Sequence, residues 1–191
     1  MGYKLTSLVH LPLDNTVLMY IFAIGDPAWQ GGLDDIVHKN FDNIARNIGP
    51  NSVIVGGLNA DFRGEVVERY LGRSHYELGK QLPALLITDS HPDELTKDSL
   101  RILIPLRVAH EQYRIIDDFL ADVAAFARRE NDNLLLHLES GPKALDVAGD
   151  IFEFDFPLVP GVVGVNVSNA VKHLRNWWNR EKVILPPMNH T

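Results

Sequence analysis

The sequence predicts an α/β protein in which a mixed β-sheet carries helices on both faces. Two observations lead there. Residues 16–24, Thr-Val-Leu-Met-Tyr-Ile-Phe-Ala-Ile, form an unbroken apolar run rich in branched and aromatic side chains, the pattern of a strand buried on both faces. Around it, strand-like and helix-like segments follow one another as β-β-α-β-α-β-β-α. Such alternation, closed by two adjacent strands and a helix, is how a layered α/β sheet is written in sequence.

Taken in order, residues 4–13 read as a first strand, ended by Pro12 and Asp14-Asn15. The buried strand 16–24 follows and breaks at Gly25-Asp26-Pro27. A helix is expected from Leu33 to Asn47, with Leu33, Ile36, Val37, Ile44 and Ile48 at helical spacing and Gly49-Pro50 as its stop. Ser52–Gly57 is a short buried strand. Asp61 is the expected N-cap of a helix running to Leu71, with Phe62, Val66, Arg69 and Tyr70 near one face. Residues 82–88 form a strand headed by Pro83, where a missing N–H does least harm. Asp89–Asp93 is a turn by composition. Ser99–Leu106 is the next strand and can pair with 82–88 as a hairpin. One continuous helix is expected from Glu111 to Arg129, striped by Ile115, Ile116, Phe119, Leu120, Val123, Ala124 and Ala127.

Composition narrows the function classes. The 191 residues carry a formal net charge of −7, which argues against sequence-independent binding of DNA or RNA, because neutralising phosphates takes clustered Lys and Arg. No cysteine occurs, so disulfides, thiolate chemistry and cysteine-based zinc sites are excluded together. The longest apolar run, Val17–Ile24, falls far short of the roughly 18–20 residues of a membrane span. The N-terminus lacks the charge, apolar core and cleavage site of a secretory signal. These readings give a soluble protein with the cytoplasm as its expected compartment.

Two local features resemble the thioredoxin-like superfamily over residues 4–130. In thioredoxins a buried strand runs into a Cys-Gly-Pro-Cys turn that opens a helix. Here Tyr20–Ile24 runs into Gly25-Asp26-Pro27-Ala28, with proline in the matching place and neither cysteine present. Thioredoxins also carry a cis-proline at the head of the strand that begins the hairpin, facing that turn; Pro83 holds that place here. The resemblance implies a three-layer α/β/α domain at 1–130. It cannot imply disulfide exchange, which needs a thiolate. It implies instead a redox-inactive binding, adaptor or chaperone-like module, with the backbone at Leu82 open to an extended peptide by strand addition. The implied partner is another protein or a second copy, with no cofactor.

Other residues admit two readings each. Trp29 is either an exposed aromatic anchor or a cover for the start of its helix. Asp26 is either a partly buried carboxylate of raised pKa or a turn initiator. Asp89, His91, Asp93 and Glu94 fall within six residues; they can hold a divalent cation, but match no known ligand spacing, and the loop needs no metal to explain it. The rival to the adaptor is therefore an enzyme using Asp26, Asp89 and His91 on a small molecule or with a metal. Gly56-Gly57 follows a strand without either phosphate-binding fingerprint.

Residues 131–191 form a C-terminal extension. Leu134–Leu138 is expected to be an edge strand. Phe152, Phe154 and Phe156 alternate with Glu153 and Asp155 in a second strand. Ser168 begins a final helix striped by Val171, Leu174, Trp177 and Trp178, before a Pro-containing tail. Two adjacent tryptophans need cover, supplied by the domain itself or by a partner.

Overall fold

The structure, a computed structural model, describes residues 1–25, 32–72, 82–96 and 99–140. Asp26, Pro27 and Trp29, and the expected strand at 151–156 and helix at 168–178 with Trp177 and Trp178, lie outside the described residues. Five strands, β1 (Gly2–Leu5), β2 (Met19–Ile24), β3 (Ser52–Gly57), β4 (Ala84–Thr88) and β5 (Arg101–Pro105), form one sheet in the order β1-β3-β2-β4-β5. The first three in that order run parallel; β4 is antiparallel to both β2 and β5. The mixed sheet and flanking helices are consistent with a thioredoxin-like α/β fold.

The alternation along β2 builds the layers. Met19 and Ile21 point into a core shared with α1 (Gly32–Asn47), α3 (Leu106–Tyr113), α4 (Ile116–Ala127) and α5 (Asn133–Ser140). Tyr20, Phe22 and Ile24 point the other way, onto α2 (Ala60–Leu71) and a 3-10 turn at Leu8–His10. The apolar run is thus read on both faces, as a central strand requires.

Gly57 ends β3 beneath α2. A Cβ placed there would lie 2.6 Å from Cδ1 of Phe62, a ring only 1% exposed. Gly57→Ala is therefore expected to cost about 1–3 kcal/mol through overpacking, read as a lower urea midpoint at unchanged slope. The Gly56-Gly57 pair lets two aromatic helix residues approach the sheet, since a Cβ placed on Gly56 would in turn lie 3.0 Å from Cε2 of Phe41.

Four expectations are corrected. The first strand ends at Leu5 rather than Leu13, because Ser7 caps the 3-10 turn that tucks Leu8 and Leu11 under α2. The cap of α2 is Asn59, whose Oδ1 accepts from the Phe62 N–H at 3.0 Å; Asp61 sits in the first turn, where its charge still suits the helix dipole. The continuous helix 111–129 is two helices, parted at Arg114, whose φ of 59° lies in the left-handed region. The expected edge strand 134–138 is the helix α5, with Leu134 and Leu135 buried side by side and Leu136 and His137 exposed. Adjacent buried neighbours fit a turn of helix, whereas a strand would alternate them.

Candidate functional site

The register between β2 and β4 decides which predicted residues meet. Ile24 pairs with Ala84, so the next residues outward, Gly25 and Pro83, stand at the same end of the sheet. The Leu82–Pro83 peptide bond is cis. Pro83 is buried, its carbonyl accepting from the Leu106 N–H at 2.8 Å. Leu82 is half-buried and packs on the α2-side core. Gly25, Leu82 and Pro83, chosen from the sequence as binding residues, therefore share one corner.

That corner lies at the carboxyl ends of the parallel strands β2 and β3. The helices following these strands, α1 and α2, lie on opposite faces of the sheet. A crevice at such a switch point is where open α/β sheets receive ligands. Here it is a cavity of about 220 Å³ on the β3 side of Gly25, lined among others by Ala23, Gly25, His38, Leu58, Asn59 and Arg63; Gly25 joins it to the Leu82–Pro83 side, whose residues do not line it. Leu58 forms its lip and is 61% exposed, although its N–H is held by the Leu5 carbonyl at 2.8 Å. Sequence reasoning missed Leu58, His38 and Arg63 here. Leu58 carried a signal, an apolar residue directly after a strand and before a cap, whereas the other two needed the helix orientations.

Asp89 and His91 do not join this corner. They follow Thr88, at the far end of β4 from Ala84, roughly 13 Å away at ~3.3 Å per residue. Asp89 Oδ1 accepts from the Leu100 N–H at 2.9 Å and lies 3.0 Å from Ser90 Oγ. It thereby pins the loop between β4 and β5. His91 is 2% exposed. Its Nδ1 accepts from the Asp93 N–H at 3.2 Å, so the proton sits on Nε2, which donates to the Leu11 carbonyl at 3.2 Å. Both ring nitrogens are occupied by backbone, leaving neither for substrate.

Among the described residues no group of three or more His, Cys, Asp or Glu side chains is arranged to hold a metal ion. Nor does any described helix have the length and apolar character to cross a membrane. Comparison with protein-family models, with curated proteins and with solved structures gives no significant match, and the geometry carries the functional argument by itself.

Proposed function

We propose that the chain is a redox-inactive, thioredoxin-like binding module that serves as an adaptor or chaperone-like subunit, taking a protein partner at the Gly25, Leu82–Pro83 corner. The observation that carries this reading is the β2–β4 register, which puts Gly25 beside a cis Leu82–Pro83 bond in a chain without a single cysteine. A corner of that shape, stripped of thiols, keeps backbone and apolar surface with which to bind an extended segment. Leu58 supplies an exposed apolar contact at the lip of the adjoining cavity, which Gly25 also lines.

Leu58→Asp tests it, since a residue this exposed can change with little effect on folding. The wild-type protein, purified from its native host, is expected to bring down a stoichiometric partner. The variant should lose that partner roughly tenfold or more, as removal of about 1.4 kcal/mol or more of binding energy does, at an unchanged thermal midpoint. Retention of the partner by Leu58→Asp would remove the corner from the interface.

A further inference from the structure

Glycine and proline are both absent from residues 106–127, yet the chain breaks within them into α3 and α4. The break is a γ-turn. The Ile115 N–H donates to the Tyr113 carbonyl at 2.6 Å, around an Arg114 at φ 59° and ψ −35°. That hand of γ-turn is the rare and strained one, and a residue with a Cβ occupies it where glycine would sit at ease. Two further features mark the break as costly. No side chain caps α4 at Ile115, so its first N–H groups forgo the partners a cap supplies. Ile115 itself stands 58% exposed. A single helix through 106–127 would remove the strain and hand those N–H groups to the last carbonyls of α3.

A cluster drawn from three helices holds the break in place. The Tyr113 ring, at the end of α3, stands edge-on to Phe119 of α4 at 5.4 Å and packs against His137 of α5 at 4.5 Å. Its hydroxyl is buried beside the Asp122 carboxylate of α4, and Asp122 in turn lies 3.1 Å from His137 Nδ1. At its other end α3 starts on the candidate corner, its Leu106 N–H held by the Pro83 carbonyl at 2.8 Å. It is also the more lightly packed helix. Among the described residues its buried apolar side chains are Leu106 and Ala109, against eight in α4. We infer that the α3–α4 junction is a two-state hinge, latched by Tyr113, Asp122 and His137, whose straightening swings α3 away and releases the Pro83 carbonyl. Strain held at one residue by the contacts around it is what such an element needs. The movement stands by itself; its meaning as a switch on binding rests on the corner being the binding site.

The absence of cysteine makes the test clean, because Arg107→Cys and Ala121→Cys, both at exposed positions, introduce the only thiols. Nitroxides attached there, in the otherwise complete chain, report the distance across the junction by pulsed electron paramagnetic resonance. The expected result is a main, shorter distance with a minor population near the ~21 Å that a straight helix sets between these positions. His137→Ala, and separately Asp122→Asn, should enlarge that population severalfold. Arg114→Gly should abolish it, since glycine relaxes the turn and disfavours the straight helix. Hydrogen exchange of the Leu106 amide, measured against the amides of β3, should speed up about fivefold or more in the first two variants and slow in the third. One short distance common to all four proteins, or Leu106 exchange that moves only in step with β3, would overturn the proposal. If the two distances appear while Leu58→Asp keeps its partner, the hinge stands and the reading of the corner falls.

Discussion

Raising the pH above about 10 is expected to unfold this protein cooperatively, because three phenols keep their protons in the folded state. Tyr20 is 3% exposed and its pKa is pushed up to about 12 by burial, then by the charges of Glu94 and Asp14. Tyr70 is raised chiefly by burial; its hydroxyl donates to the Ser90 carbonyl at 3.0 Å, with its ring 4.9 Å from that of Phe22. Tyr113 is raised by burial and by the Asp122 carboxylate. The unfolded chain releases these protons near pH 10 while the folded chain retains them, so the unfolded state binds fewer protons and stability falls as pH rises. Their contribution is complete below about pH 10. Above it, each fully buried phenol removes up to about 1.4 kcal/mol per pH unit, so Tyr20 and Tyr70 together take about 3. Two units of that slope consume much of the 5–15 kcal/mol typical of a domain. Tyrosinate absorbance and the circular dichroism of the fold should therefore change in one coincident step, made shallower by Tyr20→Phe. Smooth ionisation of all five tyrosines with the dichroism intact would contradict the burial on which this rests.

The same burial explains which parts of the fold could be read in advance. Where a segment spends its whole length in the core, its pattern is unambiguous. β2 and β3 were visible as apolar runs, and α1 by the spacing of Val37, Ile44 and Ile48, all buried. Where local and tertiary signals compete, the pattern misled. Leu134–Leu138 is too short for periodicity to separate a helix from a strand, and contact with α4 and α3 decided it. Nothing in the sequence marks Arg114, since neither glycine nor proline stands there, yet the chain turns at that point to start a second helix. The meeting of Gly25 with Leu82–Pro83 was legible because Pro83 heads its strand and one strand pairing joins the two halves. The seat of the Leu8–His10 turn against α2 was not. Its hydrogen bonds to Glu65 cross more than fifty residues, and no local signal encodes a contact of that range.

His91 gives the second large effect, and it separates a structural histidine from a catalytic one. His91→Ala is expected to cost about 2–4 kcal/mol. The Leu11 carbonyl and Asp93 N–H lose their partner, and each such loss is worth about 1–3 kcal/mol if water cannot enter. The Tyr20 ring, 5.8 Å away edge-on, faces the cavity left behind. His91→Phe isolates the polar part, since it fills the space with a ring but can neither donate to Leu11 nor accept from Asp93. A histidine that serves the fold should therefore yield two destabilised variants in urea denaturation, with Phe intermediate between wild type and Ala. A histidine poised for chemistry would leave stability within about 0.5 kcal/mol and abolish a turnover. The geometry favours the first outcome, because a buried ring whose two nitrogens hold its own turn at Asp93 and the distant Leu11 carbonyl can exchange a proton with substrate only by giving up those bonds.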